Sequence, residues 1–249
     1  MCTLSFLPDA QGYFVAMNRD ESRRRVPAYP PAIYRTGELT ALYPREPTGG
    51  TWVGANSRGI VFGLLNWYSM DVRKLDAKLH SRGEIIPQTL PAETLGAADW
   101  AVRGLDLIGV HPFRLVGIFP DERKVMEWRW DGERLIKRWH PWARKHWYSS
   151  SWSDSRAEAV RGKAAERTWD ENEDEPILWL RHLHSSHIPE SGAFSVCVHR
   201  EDAATVSYTE IHCSPEQIRM LYFPGNPCHT SHLPPPLIIP FEPPHHAAR

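Results

Sequence analysis

The stretch CTLSFLPDAQGYFVAMNRD, residues 2–20, decides the fold of this chain. Two β-prone runs, residues 2–7 and 13–18, flank the turn-forming residues 8–12. This pattern predicts an antiparallel hairpin at the start of the protein.

The register of this hairpin can be predicted from its turn. If the turn is centred between Ala10 and Gln11, the numbers of facing residues sum to about 21. Cys2 would then face Asn18, Arg19 or Asp20, so the tetrapeptide NRDE at residues 18–21 would lie beside the amino-terminal end.

Cys2 can combine a nucleophile and a base in one residue. Removal of Met1 would leave a thiol of pKa about 8.5 beside an α-amine of pKa roughly 7.7 to 8.0. The alternative is that Cys2 is only a small apolar residue at the start of a buried strand.

The composition predicts one soluble domain. With 249 residues and 41% hydrophobic content, the chain can bury one sizeable core but is short for two domains. A net charge of −1 gives no field that attracts nucleic acid.

The chain lacks both a run of about 20 apolar residues and a secretory pattern, so a cytoplasmic protein with no membrane span is expected. Its four cysteines are widely spaced, which argues against a zinc ribbon or a disulfide framework.

Beyond the first hairpin, the pattern predicts further strands and helices. The Pro-rich residues 22–48 are expected to form an irregular, substrate-facing loop. Residues 51–55 and 60–66 predict a second hairpin, whose apolar second strand should be buried on both faces. SRGE at residues 81–84 has the form of a capping box, and residues 91–104 and 154–183 have helical spacing.

Strands return in the middle and late parts of the chain. Residues 113–119, 125–130 and 134–139 predict three strands, the last two joined by Asp131-Gly132, and residues 194–199 and 205–211 predict a later pair. We expect one domain over residues 1–232 and an extended, poorly packed Pro/His-rich tail over residues 233–249. This order predicts an α+β fold, a four-layer αββα sandwich of two antiparallel sheets between helical layers.

Several motifs together resemble the NRDE family, also called the transport and Golgi organisation protein two family. They are MCT at residues 1–3, NRDE at 18–21, GGTWVG at 49–54, LLN at 64–66 and SRGE at 81–84. That family in turn is similar to N-terminal nucleophile hydrolases of the choloylglycine hydrolase and penicillin V acylase group.

This resemblance implies a hydrolase acting on linear amide bonds, with N-acyl compounds as one expected substrate class. Cys2 would be the nucleophile, Arg19 and Asp20 its supporting charges, and Asn66 a donor to the oxyanion of the tetrahedral intermediate. A guanidinium beside Cys2 is expected to lower the pKa of the thiol.

Four further residues are expected to contact the substrate: Asn18, Trp52, Ser150 and Arg200. Ser150 belongs to a serine run that stands where the acylases have a second oxyanion asparagine. Arg200 is the candidate for a late arginine of the acylases.

A different class of function stays open at this stage. Family members are linked to haem trafficking and to lipid or acyl-coenzyme A homeostasis, so the fold could be a carrier for an apolar ligand such as haem. The histidines at positions 182, 184, 187, 199 and 212 are better explained as a solvated helix end and its surroundings than as metal ligands. No cofactor or metal is therefore predicted, the partner is a small-molecule amide or apolar ligand, and a homo-oligomer is left open.

Overall fold

The computed structural model describes residues 2–70, 81–170, 176–230, 232 and 234–243. Within these residues the chain forms two antiparallel sheets of six and seven strands and four α-helices. The strands are β1 (Cys2–Asp9), β2 (Gly12–Ser22), β3 (Tyr29–Thr36), β4 (Leu39–Arg45), β5 (Val53–Asn56), β6 (Val61–Asn66), β7 (Phe113–Phe119), β8 (Lys124–Trp130), β9 (Leu135–His140), β10 (Lys145–Ser149), β11 (Ala203–Cys213), β12 (Gln217–Pro224) and β13 (Leu237–Pro240).

The six-stranded sheet has the order β10-β1-β2-β11-β12-β13, and the seven-stranded sheet runs from β3 to β9 in chain order. Apolar side chains of both sheets, among them Leu4, Val15, Val61 and Val116, form one buried cluster. The sheets therefore pack face to face.

Helices cover the outer faces of both sheets. They are α1 (Ile85–Thr89), α2 (Leu95–Arg103), α3 (Asp154–Asp170) and α4 (Pro176–Ser185). Helices α1 and α2 share a buried cluster with the seven-stranded sheet, and α3 and α4 share another with the six-stranded sheet. The predicted αββα sandwich is confirmed.

The hairpin at residues 2–20 has the predicted register. Cys2 faces Arg19 and Thr3 faces Asn18 across β1 and β2. The second hairpin is also confirmed, since β5 pairs with β6 and nearly all of β6 is buried. Ser81 caps a short 3₁₀ helix by accepting a hydrogen bond from the Gly83 amide at 3.2 Å.

Two local predictions are wrong. Residues 22–48 hold strands β3 and β4 rather than an irregular loop. The prolines that suggested a loop, Pro30 and Pro31, lie where β3 departs from regular pairing at the edge of its sheet, and an edge strand tolerates the loss of a backbone donor. Residues 194–199 do not form a strand, because only isolated bridges join this segment to its neighbours.

The described part of the carboxy-terminal tail is better packed than expected, while residues 233 and 244–249 of the predicted tail lie outside the described residues. Residues 237–240 form β13, which pairs with β12, and Ile239 is buried in the cluster between the sheets. Among the described helices, none combines the length and apolar character needed to span a bilayer.

Candidate functional site

A cleft of about 420 Å³ opens at the amino-terminal end of β1. Both sheets contribute to its walls, which include all four residues predicted as catalytic and one predicted substrate contact: Cys2, Arg19, Asp20, Asn66 and Trp52. Residues from β1, β2 and β6 thus meet at one place, although they are up to 64 positions apart in the sequence.

Cys2 is held between two neighbouring strands and is 7% exposed. It faces Arg19 on β2 and Ser149 on β10, so the three side chains share one face of the sheet. Burial raises the pKa of the Cys2 thiol, and the charge of Arg19 lowers it by less. Arg19 thus acts on this pKa in the expected direction, but burial of the thiol outweighs the nearby guanidinium.

Arg19 is fixed by an aromatic ring and two carboxylates. Its guanidinium lies 4.4 Å from the centre of the Trp52 ring, 2.5 Å from a Glu46 carboxylate oxygen and 3.4 Å from Glu21. These contacts hold a positive charge on the wall of the cleft beside Cys2.

Asp20 also lines the cleft, although its carboxylate lies on the helix side of β2 and is fully buried. Its Oδ1 accepts a hydrogen bond from Thr205 at 2.7 Å, and its Oδ2 lies 3.6 Å from Arg161. Burial raises the pKa of Asp20, while the Arg161 charge opposes that rise.

Arg161 is a site residue that the sequence analysis missed. From α3 it donates to the Cys2 carbonyl at 3.3 Å and to Thr3 Oγ1 at 2.9 Å, and its side chain is fully buried. It lies at helical spacing from the buried residues Ala157, Ala165 and Thr168. An arginine on the small-residue face of a helix is the signal that could have identified it.

Asn66 lies at the end of β6, across the cleft from the hairpin. Its Nδ2 donates to the Tyr68 hydroxyl at 2.7 Å, which uses one of the two amide hydrogens. Arg82 also lines the cleft and donates to the Pro112 carbonyl at 3.1 Å. Burial lowers the pKa of Arg82, and its attraction to Cys2 partly offsets this effect.

Three predicted substrate contacts lie outside this cleft. Asn18 is buried on the helix side of β2, where its amide donates to the carbonyls of His184 and Val196. It points away from the cleft because side chains alternate along a strand. Ser150 is buried, and its backbone amide donates to Asp154 at 2.8 Å.

Ser149, the residue before Ser150, lies beside Cys2 in the neighbouring strand. It faces Cys2 in the register of β1 and β10, and its Oγ is buried with no hydrogen-bond partner among the residues described. Within the serine run, Ser149 rather than Ser150 therefore lies opposite Cys2.

Arg200 lines a second cavity of about 560 Å³ beside the first. Its guanidinium lies 3.2 Å from Ser151 and 4.4 Å from the centre of the Trp152 ring. Asp20, Glu21 and Tyr68 line both cavities. The two cavities are thus adjacent, and Arg200 belongs to the second one.

One group of side chains away from this cleft has the composition of a metal site: His187, Cys197, His199 and Cys228. The sequence analysis did not predict this group, because the cysteines are widely spaced in the sequence and only the fold brings Cys197 and Cys228 together.

The comparisons with known proteins find a matching family model and similar solved structures. The family model for Transport and Golgi organisation 2 matches residues 1–174. A crystal structure of the C2A mutant of conjugated bile acid hydrolase from Clostridium perfringens is similar at a TM-score of 0.56 and 8% identity, covering 97% of each chain. Penicillin V acylase from Agrobacterium tumefaciens gives a TM-score of 0.49 at 11% identity, covering 88% of this chain and 82% of that one. The comparison with curated proteins finds no sequence match.

Proposed function

The chain belongs to the Transport and Golgi organisation 2 family, and we propose that it is a cysteine-type N-terminal nucleophile amidohydrolase that cleaves a linear amide bond through Cys2. N-acyl compounds are the substrate class that we favour. The observation that carries this proposal is the convergence of Cys2, Arg19, Asp20 and Asn66 on one cleft.

The proposed reaction begins with the free terminus of Cys2, after removal of Met1. The α-amine takes the proton of the thiol, and the sulfur attacks the carbonyl carbon of the amide. Arg82 and Arg161 both interact electrostatically with Cys2, and their positive charges favour the thiolate.

The tetrahedral intermediate carries a negative oxygen that needs hydrogen-bond donors. The second amide hydrogen of Asn66 is one donor, and the buried hydroxyl of Ser149 is the candidate for another. Collapse of the intermediate breaks the C–N bond, and the α-ammonium gives its proton to the leaving nitrogen. Water activated by the α-amine then hydrolyses the thioester, which releases the acid and restores the thiol.

The lining of the cleft supports an amide substrate over an apolar ligand. Its walls carry the charged side chains of Arg19, Glu21, Arg25, Glu46 and Arg82. A haem or acyl-lipid carrier would need a mainly apolar lining. The carrier alternative therefore has less support in this cleft.

The test combines intact mass with covalent labelling. Mass spectrometry determines whether Met1 is absent, and a thiol-reactive acyl-amide probe then measures the reactivity of Cys2. We expect wild type to label at Cys2 faster than any other thiol, and Cys2→Ala to lose that label.

Cys213→Ala is the matched control, because it removes a thiol that is buried in the core away from the cleft. It should label like wild type. A retained Met1, or wild type that labels no faster than Cys2→Ala, would contradict the proposal.

A further inference from the structure

We propose that His187, Cys197, His199 and Cys228 form a structural zinc site, separate from the cleft at Cys2. Each residue offers one ligand atom, and these four atoms all lie within 4.8 Å of one another. Two thiolates and two imidazoles are a ligand set that zinc uses in closed, four-coordinate sites.

The distances between ligand atoms fit a tetrahedron. Zinc bonds of about 2.3 Å to sulfur and about 2.0–2.1 Å to nitrogen place tetrahedral ligands roughly 3.4 to 3.8 Å apart. The two sulfurs are 3.5 Å apart, and His199 Nε2 lies 3.6 Å from Cys197 Sγ and 3.3 Å from Cys228 Sγ. The group is thus already close to the geometry that the ion requires.

The fourth ligand, His187, completes the group from another direction. Its ring centre lies 4.9 Å from that of His199, with the ring planes at 70°. Its Nε2 is buried and has no hydrogen-bond partner in the part of the chain that the structure describes. A buried imidazole nitrogen without a partner is costly unless something binds it, and a zinc ion would do so.

Three separate segments bring these ligands together. His187 follows the end of α4, Cys197 and His199 lie two positions apart in the irregular segment before β11, and Cys228 lies in the short 3₁₀ helix Pro227–His229. The Cys197 amide donates to the Ser186 carbonyl at 3.0 Å, which holds the first two segments together. The backbone therefore positions the ligands before any ion binds.

Zinc would cross-link a part of the chain with little regular structure. The segment before His199 makes two hydrogen bonds to buried side chains. The Val196 carbonyl accepts one from Asn18, and the Ala193 carbonyl accepts one from Arg161 at 3.4 Å. Binding forms two zinc–sulfur bonds and releases two thiol protons to water. With four protein ligands no position is left for substrate, so the role is stabilisation.

The test measures metal in the purified, tag-free full-length protein by elemental mass spectrometry. We expect about one zinc per chain, and almost none in the double variant Cys197→Ser/Cys228→Ser. His182→Ala is the matched control, because His182 is exposed and lines the surface cavity that also contains His187 and Cys228. This variant should keep its zinc.

Two measurements on the wild type keep the test independent of how well the variants fold. After zinc is removed by a chelator, added Co²⁺ should give the visible absorption of a tetrahedral site and a thiolate-to-cobalt charge-transfer band, and added zinc should restore the melting temperature. Wild type that contains no zinc and shows no such cobalt spectrum would overturn the proposal. A native mass lower by two hydrogens, with Cys197 and Cys228 joined as a disulfide, would also overturn it.

Discussion

The guanidinium of Arg161 lies 3.6 Å from the carboxylate of Asp20, and neither side chain is exposed to solvent. Arg161 comes from α3 and Asp20 from β2, so the pair joins the helical layer to the six-stranded sheet. The same guanidinium donates to the Cys2 carbonyl. This ion pair thus connects the candidate site to the core.

Loss of Arg161 should destabilise the protein strongly. Arg161→Ala leaves the Asp20 charge buried without its partner, and we expect the free energy of unfolding to fall by about 3–5 kcal/mol in urea unfolding. Arg156→Ala is the control, since this arginine is exposed on the same helix and should change stability by about 1 kcal/mol or less. Equal effects of the two variants would contradict the buried pair.

Asn66 should act as a hydrogen-bond donor in the proposed reaction. Asn66→Ala and the nearly isosteric Asn66→Asp both remove the amide donor, and each should slow acylation of Cys2 by about 10²–10³-fold. Single-turnover labelling measures this rate, with circular dichroism to show that the variants remain folded. Asn66→Asp with the wild-type rate would exclude the donor role.

Two buried histidines should make the protein less stable in mild acid. His146 Nδ1 and His184 Nε2 each lie 2.8 Å from Ser5 Oγ, and burial lowers the pKa of both rings to about 3. The unfolded chain takes up these protons near pH 6.5, whereas the folded protein does so only near pH 3. Stability therefore falls as the pH drops through this window, by up to about 1.4 kcal/mol per pH unit for each histidine.

Unfolding measured between about pH 6.5 and 5 separates the histidines from carboxylates that titrate in their ordinary, lower range. His184→Gln should reduce the slope of stability against pH, even if the variant is less stable at every pH. The remaining slope comes from His146 and from three other histidines whose pKa values burial lowers, His111, His199 and His212. His182→Gln, on the exposed side of α4, should keep the wild-type slope. An unchanged slope in His184→Gln would show that this ring is not buried in its neutral form.

Gly63 should tolerate a side chain poorly, because an added Cβ would press against the buried side chain of Leu4 on the facing sheet. A Cβ there would lie 2.7 Å from Leu4 Cδ2 and 2.9 Å from Cδ1. We expect Gly63→Ala to destabilise the protein by about 1–3 kcal/mol. Gly162→Ala is the opposite case, since nothing lies within 4 Å of its added Cβ in α3, and it should stabilise by about 0.5–1 kcal/mol. Thermal unfolding of both variants measures these two effects. A Gly63→Ala variant as stable as wild type would contradict the close contact between Gly63 and Leu4.

Local patterns predicted much of the fold and part of the site. The register that sets Cys2 opposite Arg19 follows from one short turn, and the predicted hairpin at Asp131-Gly132 is also present between β8 and β9. The prediction failed at residues 22–48 and 194–199. An edge strand such as β3 is compatible with prolines. The alternating apolar residues in 194–199 are buried, but no neighbouring strand pairs with this segment continuously.

The parts of the site that the sequence missed depend on contacts between distant segments. Arg161 lies 141 positions after Asp20, and nothing near either residue specifies that they meet. The placement of Asn18 failed for a related reason, because side-chain alternation turns it to the helices once Arg19 faces the cleft.

The amino-acid sequence by itself determined the hairpin, its register and the layered α+β fold, because turn chemistry and hydrophobic alternation act over a few neighbouring residues. Only the tertiary structure decided which charges surround Cys2, that burial raises the pKa of its thiol, and that Cys197 and Cys228 meet two histidines. These properties depend on how the sheets and helices pack, which brings together groups far apart in the chain and removes water from around them.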